Sequence, residues 1–562
     1  MKKGNFVIFL GLFLPTVLNA QLMEDRDVFT RADTLRGSIT EFRRGWDVVK
    51  YDLTVQPDFE SKTISGKNII TYNESQPVIT MQIDLQQPLI IDSITGENNN
   101  VYNYKRDGNV CFVNVRDSLA KYKFLPGKRS MTIYYHGQPK EAKRPPWDGG
   151  LVWKTDVVGR PLIAIACQGL GASVWWPCKD HQSDEPDSGM TINIIAPDSL
   201  SAVSNGRLQQ TTSVNIGMKK WTWVVKNPIN NYDVTMNIGK YTKWNDSMMG
   251  EGGKLDLEYW VLDYNVDKAK KQFEQVKPML HSHEHWFGRY PFYEDSYKLV
   301  ETPFLGMEHQ SAVAYGNDYG NGYRGTDLSG SGWGLKWDFI IIHESGHEWF
   351  GNSITSVDLA DMWVHEGFTN YSETLYTETM FGKQAANEYC IGTRVKIKND
   401  KTIIGSYGVN KEGSGDMYYK GGNMLQTVRH VINDDEKFRS ILRGLNSAFY
   451  HHTVSTKQIE EFVSAKSGID LSKVFDQYLR TVQIPVLEYY FSNNRQKVFY
   501  RWTNCITGFN MPLHVQATTR NVTIYPGSKW KSTAITKTQG EIFTPQAIET
   551  NYLITAKEIQ GR

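Results

Sequence analysis

His343-Glu344-Ser345-Gly346-His347 is the stretch around which this chain of 562 residues is organised. Two histidines four residues apart on a helix project from the same face, so both imidazoles can bind one metal ion. The apolar run from Trp337 to Ile342 that precedes them is typical of a helix anchored in a hydrophobic core. The spacing predicts a metal-binding helix; the alternative is a buried helix with two hydrogen-bonded histidines.

A catalytic zinc site needs a third protein ligand and leaves one coordination position open. Glu366 is the candidate, because nineteen positions after His347 leave room for the chain to end one helix, turn, and present a carboxylate from the next. Glu344 lies about 100° around the helix from His343, where it can accept a proton from water instead of binding the metal. The predicted cofactor is therefore one zinc ion per chain.

The composition indicates a globular protein of several domains. Hydrophobic residues make up 40% and charged residues 22% of the chain, which is too long for one hydrophobic core. A formal net charge of +1 without a basic run argues against nucleic acid as a partner. The five cysteines cannot all pair and form no Cys-x-x-Cys motif, so neither a disulfide framework nor a cysteine zinc site is indicated. Pairing of Cys167 with Cys178 is left open.

The first twenty residues are typical of a secretory signal peptide. Lys2 and Lys3 form a basic start, Phe6 to Val17 an apolar run, and Leu18 to Ala20 a small-residue end. A membrane anchor is the alternative, but the run is too short to span a bilayer, and no later apolar stretch is long enough. We expect export to the periplasm or the medium.

Strand and helix patterns divide the rest of the chain. From Gly45 to Lys243 the sequence predicts strand after strand, as in the strict alternation of Val49 to Val55. Helical segments dominate from Trp337 to Arg480, and strands return after Pro485. The predicted domains are 21–243 (all-β), 244–482 (α+β, with the zinc motif) and 483–562 (a small β-sandwich).

From about residue 45 onward the sequence resembles the zinc aminopeptidases of the aminopeptidase N type, whose catalytic domain is thermolysin-like. The family's zinc signature is matched by His343, Glu344, His347 and Glu366, and by the flanking Trp349-Phe350-Gly351-Asn352. The resemblance implies that the two histidines and Glu366 are the zinc ligands and that Glu344 is the general base. It also implies a saddle-shaped N-terminal β domain and the short three-domain form without a large C-terminal helical domain.

The family's exopeptidase motif, Gly-Ala-Met-Glu-Asn, is matched by the segment Leu305-Gly306-Met307-Glu308-His309. By this match Glu308 would bind the α-ammonium of the substrate, and Gly306 and Met307 would contact the substrate. The physical chemistry agrees, because an ammonium buried beside a metal needs an anionic partner. The first and last residues of the segment depart from the motif, and Glu308 as an ordinary strand-edge residue is the alternative.

Two further positions match the family, and one departs from it. Gln168, nine residues before Pro177, corresponds to a residue that also touches the substrate amine; a turn amide is the alternative. The Tyr-x-Lys-Gly motif identifies Tyr418, and not Tyr419, as the donor to the oxyanion. His365 stands where the family has Asn, which predicts changed hydrogen bonding around the zinc ligands.

The sequence thus predicts an exported zinc aminopeptidase that acts on peptides with a free N-terminus. A zinc endopeptidase is one alternative, and a bifunctional aminopeptidase and epoxide hydrolase on the same fold is another. A third, remote alternative is a peptide-binding protein that has kept the fold and lost the chemistry. Retention of the ligands, the base and the tyrosine argues against it.

Overall fold

The structure, a computed structural model, describes residues 28–97, 100–116, 126–516, 521–534 and 545–561. The predicted signal peptide lies outside these residues. The described chain begins with two short helices, continues through a β-rich region, and reaches a mixed α/β region near residue 241. This order agrees with the sequence prediction of an all-β part followed by an α+β part.

The β-rich region contains three sheets. Its elements are α1 (Arg31–Gly37), α2 (Glu41–Arg44), β1 (Trp46–Asp58), β2 (Thr63–Glu74), β3 (Thr80–Asp84), β4 (Ile90–Gly96), β5 (Asn103–Asp107), β6 (Val110–Asn114), β7 (Gly127–Gly137), β8 (Gly150–Thr155), β9 (Pro161–Ala166), β10 (Met190–Pro197), β11 (Ser201–Val203), β12 (Arg207–Asn215), β13 (Met218–Val225) and β14 (Asn237–Gly239). The largest sheet has the order β12-β13-β10-β1-β2-β7-β4, and the smaller sheets have the orders β11-β14-β9-β8 and β3-β6-β5.

Strand β1 shows why the alternating pattern gives this architecture. Tyr51, Leu53 and Val55 are fully buried, while the residues between them are less buried. Side chains on a strand alternate between the two faces, so one face of β1 packs into the core. The strand pairs antiparallel with β2 and parallel with β10, which places it inside the seven-stranded sheet.

The second region joins a five-stranded sheet to a group of helices. Its elements are β15 (Tyr241–Gly250), β16 (Gly253–Leu262), α3 (Val266–Gln272), α4 (Val276–Phe287), β17 (Tyr297–Glu301), β18 (Gly306–Met307), β19 (Val313–Tyr315), α5 (Phe339–Gly346), β20 (Ile354–Ser356), α6 (Trp363–Phe381), α7 (Lys383–Thr393), α8 (Tyr419–Ile432), α9 (Asp435–Ala448), β21 (His452–Val454), α10 (Thr456–Ser467) and α11 (Ser472–Leu479). The sheet order is β15-β16-β17-β19-β18, so β18 forms an edge.

The sequence pattern predicts one helix over residues 266–287, where the structure has α3 and α4 separated by a 3-10 turn at Phe273–Gln275. Pro278 gives the physical reason. Proline has no N–H to donate and clashes with the carbonyl four residues earlier, so it is tolerated only in the first turn of a helix. A new helix therefore begins just before it.

The last region is a small β structure with one helix. Its elements are β22 (Val486–Phe491), β23 (Lys497–Thr503), β24 (Leu513–Gln516), β25 (Asn521–Ile524), β26 (Lys531–Ala534), α12 (Pro545–Asn551) and β27 (Thr555–Glu558). They form a four-stranded sheet, β26-β23-β22-β27, and a two-stranded sheet, β24-β25. Within the described part of the chain, no helix combines the length and the apolar character needed to cross a bilayer.

Two hydrophobic cores hold these regions together. One core runs from the helices around α5 into the C-terminal strands. The other fills the N-terminal β region and also includes Val300, Met307 and Ala314 of the five-stranded sheet. Because the second core is shared, the edge strand β18 is held between the two regions.

Candidate active site

The structure brings the three predicted metal ligands together. Each of His343, His347 and Glu366 offers one ligand atom, and these atoms lie within 4.8 Å of one another. Glu366 Oε2 is 3.7 Å from His343 Nε2 and 3.4 Å from His347 Nε2. All three side chains are buried, and they come from α5, from the turn that follows it, and from α6.

The local structure explains how two histidines reach one point. Asp338 caps the start of α5 by accepting hydrogen bonds from the backbone N–H groups of Ile340 and Ile341. The helix ends at Gly346, and His347 follows it with helical backbone angles. The i, i+4 relationship of the histidines is therefore preserved although the second lies at the helix terminus.

The donor set fits a zinc ion. His343 Nδ1 lies 2.7 Å from Glu373 Oε1, and His347 Nδ1 lies 3.0 Å from the carbonyl oxygen of Phe350. An acceptor at each Nδ1 fixes a tautomer that leaves Nε2 free as a ligand. Glu366 Oε2 is buried and has no hydrogen-bond partner among the described residues. Two imidazole nitrogens and a carboxylate oxygen are the set expected for catalytic zinc.

The charge on Glu366 suits this role. Burial by itself raises the pKa of this carboxyl group, but His347 and His343 outweigh burial and hold the pKa well below its usual range. The group therefore carries a negative charge at neutral pH. An anionic ligand between two imidazoles favours a divalent cation at their common point.

The sequence motifs did not identify Glu373. It lies seven residues after Glu366 on α6, and besides His343 it receives hydrogen bonds from Tyr389 Oη at 2.5 Å and Asn370 Nδ2 at 3.1 Å. Residues seven apart on a helix share a face. That spacing is the sequence signal that could have identified Glu373 as the hydrogen-bond partner of His343.

Glu344 lies beside the edge strand β18. A Cβ atom placed on Gly306 would be 2.9 Å from Glu344 Oε1, so the strand backbone passes close to this carboxylate. Glu344 also has a ligand atom within 4.8 Å of atoms from His347 and Glu308. Burial raises its pKa, His343 and His347 lower it, and Glu366 raises it; the net shift is upward. A raised pKa brings a carboxylate nearer to the value that suits a general base.

Glu308 and Gln168 meet although they come from different regions of the chain. Gln168 lies just after β9, Glu308 just after β18, and the Gln168 amide donates a hydrogen bond to Glu308 Oε1. Both side chains are buried, as is Met307. Burial raises the pKa of Glu308 to about 7, an effect that His347 opposes. We call Glu308 and Gln168 the amine socket, after the role that we propose for them below.

Tyr418 immediately precedes α8, and its ring stacks against that of His343 with a centroid distance of 6.1 Å. Burial, with the charges of Glu366 and Glu412, raises its pKa well above the usual tyrosine value. The phenol therefore keeps its proton at neutral pH and can donate a hydrogen bond next to the metal ligands.

The remaining sequence expectations concern His365 and the cysteines. His365 is fully buried and accepts a hydrogen bond from the backbone N–H of Ser356 at 2.8 Å. The Nδ1 atoms of His343 and His347 instead contact Glu373 and Phe350, so the structure gives His365 no hydrogen bond to either histidine. Cys167 and Cys178 are both free thiols.

Two family models match the sequence. The peptidase M1 N-terminal domain matches residues 48–232, and the peptidase family M1 domain matches residues 272–478. Together the matched segments span more than half of the chain, and the second contains the predicted metal ligands, Glu308, Glu344 and Tyr418. Gln168 lies in the first.

The curated relatives are aminopeptidases. Glutamyl aminopeptidase from Sus scrofa is 23% identical over 500 residues, which cover 83% of this chain and 50% of the relative. Aminopeptidase B from Mus musculus is 22% identical over 347 residues, which cover 57% of this chain and 50% of the relative. This chain thus spans about half the length of these relatives.

Solved structures share the fold. A mutant M1 zinc metallopeptidase from Deinococcus radiodurans bound to a Tyr-Ser-Ala substrate has a TM-score of 0.63 at 19% identity, covering 78% of this chain and 95% of that one. A two-domain M1 zinc metallopeptidase bound to L-tryptophan has a TM-score of 0.65 at 21% identity, with the same coverages. These likenesses confirm the predicted fold class, an N-terminal β domain followed by a thermolysin-like catalytic domain.

Proposed function

Because the chain belongs to peptidase family M1, we propose that it is a zinc aminopeptidase that removes single residues from the N-terminus of peptides. The observation that carries this proposal is the amine socket next to the metal ligands. A buried carboxylate paired with a neutral amide offers a site for one cation, and the α-ammonium of a peptide is a cation with donors for both groups.

The amine socket determines which peptide bond of the substrate is cleaved. Glu308 and Gln168 would hold the α-ammonium, which places the first peptide bond beside Glu344 and Tyr418. A peptide with a blocked N-terminus brings no positive charge, so Glu308 would remain buried without a cationic partner. This energetic penalty favours exopeptidase over endopeptidase activity.

The residues around the scissile bond have complementary roles. His343, His347 and Glu366 would hold the zinc ion, which would supply Lewis-acid polarisation of the carbonyl and a lowered pKa of water. Glu344 would take a proton from the attacking water and later deliver it to the departing amine. Tyr418 would donate a hydrogen bond to the oxyanion, whose full charge appears only in the transition state.

The chemistry is tested with aminoacyl anilides and their N-acetylated forms. We expect the free-amine substrates to be cleaved, 1,10-phenanthroline to abolish cleavage, and added zinc to restore it. The Glu344→Gln variant should fold with wild-type stability. Its kcat should be lower than that of the wild type by a factor of about 10² to 10⁴, the usual contribution of a general base. Full activity in the metal-free protein, or equal cleavage of acetylated substrates, would contradict the proposal; the second result would favour an endopeptidase.

We further propose that the chain is exported, which rests on the basic and apolar pattern of residues 1–20 alone. The mature protein should begin near Gln21 and accumulate outside the cytoplasm. N-terminal sequencing of the protein purified from a fractionated host tests this. A mature chain that still starts at Met1 would argue against export.

A further inference from the structure

Residues 30–45, which we call the N-terminal strap, precede both segments that match the family models. The strap is nevertheless held by buried polar contacts. The fully buried Arg43 donates hydrogen bonds to the carbonyls of Arg36 and Ser38, and to Asp84 Oδ2 at 2.6 Å. Arg43 lies on α2, whereas Arg36 lies on α1 and Ser38 directly follows it, so the buried guanidinium fixes the relative position of the two helices.

Arg36 connects the strap to the turn that carries Gln168. Its Nη2 lies 2.9 Å from Asp180 Oδ1, and Asp180 Oδ2 accepts a hydrogen bond from the backbone N–H of Ser173 at 3.0 Å. Gly171 approaches the guanidinium so closely that a Cβ atom there would be 2.1 Å from Arg36 Nη2. Arg36 and Asp180 therefore contact the turn at Gly171 and the backbone that follows it at Ser173.

The same turn positions the amide of the amine socket. The backbone N–H of Gly171 donates to the carbonyls of Cys167 at 2.6 Å and Gln168 at 3.0 Å, which closes the turn around Gln168. The side chain of Gln168 then reaches Glu308. A turn that lost its support by Arg36 could shift, and the amide would shift relative to Glu308.

The strap also contacts a loop of the catalytic domain. The backbone of Gly37 lies against Val409 and Asn410, where a Cβ atom on Gly37 would be 2.1 Å from the carbonyl carbon of Val409. Asn410 donates its backbone N–H to Asp33 O at 3.0 Å and its side-chain amide to Gly169 O at 3.3 Å. Strap, turn and loop therefore meet at one place.

A cavity lies where these elements meet. The cavity there has a volume of about 30 Å³ and is lined by Gln168 and Tyr232 together with Arg36, Gly37 and Asn410. That volume suits a water molecule.

We propose that Arg36 is a positioning residue for recognition of the substrate amine: through Asp180 and the turn it holds Gln168 against Glu308. This inference rests on the proposed function and deepens it. It gives a segment outside the matched domains a part in the recognition of a free α-amine. Arg36 does not touch the substrate and acts through the turn.

The test replaces Arg36 with Met, which keeps most of the apolar stem and removes the guanidinium. We expect the KM of an aminoacyl anilide to rise about tenfold or more while kcat stays within a factor of about two, the pattern for lost binding that is equal in ground and transition states. The ratio of kcat/KM for the free and acetylated forms should fall by a similar factor. Arg36→Lys keeps the charge and should raise KM by an intermediate amount.

Arg31→Met is the matched control. Arg31 lies on the same helix, but it pairs at 3.1 Å with Asp107, and the two side chains are 70% and 43% exposed. This variant should keep the wild-type KM and the wild-type ratio of kcat/KM between the free and the acetylated substrates. Thermal unfolding of each variant identifies any general loss of structure; if Arg36→Met fails to fold, the intermediate KM of Arg36→Lys is the deciding measurement.

The outcomes separate this inference from the proposed function. If the Arg36 variants fold and keep both the wild-type KM and the wild-type ratio of kcat/KM between free and acetylated substrates, the role of Arg36 is overturned. The aminopeptidase proposal would then remain intact. A wild-type protein that cleaves free and acetylated substrates equally would overturn the aminopeptidase proposal itself.

Discussion

Glu373 lies outside the three predicted metal ligands and contacts one of them. It accepts a hydrogen bond from His343 Nδ1 at 2.7 Å and is itself held by Tyr389 and Asn370. We predict that Glu373→Gln weakens zinc binding about 10- to 100-fold, because a carboxylate partner orients a ligand histidine and increases its basicity. Equilibrium competition with a zinc chelator measures the affinity.

Glu388→Gln is the control for the zinc prediction. Glu388 is exposed on α7, next in sequence to Tyr389, and hydrogen-bonds Trp333 rather than a ligand histidine. The Glu388→Gln variant should bind zinc with the same affinity as the wild type. If Glu373→Gln also retained wild-type zinc affinity, the assigned role of Glu373 would be wrong.

At the scale of elements, α4 packs against the metal-binding helix through His283. This histidine is fully buried, its Nε2 lies 3.3 Å from the carbonyl oxygen of Ile342, and its ring lies against that of Trp349. Burial lowers its pKa from 6.5 to about 4, an effect that the contact with Ile342 opposes. His283 is therefore neutral in the folded protein at neutral pH.

The depressed pKa of His283 predicts a pH-dependent contribution to stability. Between pH 6.5 and about 4 the unfolded chain binds a proton that the folded chain does not, so this contribution is complete above 6.5 and is lost on acidification. The loss is about 1.4 kcal/mol per pH unit within that window. We predict that the free energy of unfolding of His283→Gln falls less steeply with decreasing pH than that of the wild type.

Urea unfolding at a series of pH values measures this difference. Glutamine can still donate to the Ile342 carbonyl and has no proton to gain, so the variant isolates the titration. His281→Gln, at an exposed position of the same helix, is the matched control. If the free energies of unfolding of the wild type and of His283→Gln changed equally with pH, His283 would not make this pH-dependent contribution.

At the scale of the whole molecule, the N-terminal and catalytic regions share a hydrophobic core. Trp260 of the catalytic sheet is 4% exposed, and its ring lies 5.9 Å from that of Trp223 and 6.5 Å from that of Trp221, centroid to centroid. We predict that Trp260→Ala destabilises both regions together by about 3 to 5 kcal/mol, the usual effect of removing a large buried aromatic side chain.

Hydrogen exchange with peptide-level resolution tests this coupling. Exchange should accelerate in β10 and β13 of the N-terminal sheet as well as in β16 and β17 of the catalytic sheet. Trp530→Ala is the control, because Trp530 is partly exposed and packs on Tyr490 of the C-terminal sheet. Acceleration confined to the catalytic region in Trp260→Ala would show that the two regions unfold independently.

Sequence alone predicts the features of this protein that depend on local spacing. The i, i+4 histidines need only a helix to face the same way, and the alternation in β1 needs only a strand. The family motifs then supply Glu366, Glu308, Gln168 and Tyr418 as candidates, and the structure brings their side chains to one place. The metal-binding helix and the order of the domains follow from this information.

Tertiary structure alone decides how distant segments meet. Gln168 and Glu308 are 140 residues apart, and their contact depends on the core shared by the two regions. Arg36 and Asp180 are 144 residues apart, and the support they give to the turn depends on how the strap packs. No short-range pattern encodes such contacts, because they form only when whole sheets and helices bury their apolar faces against each other.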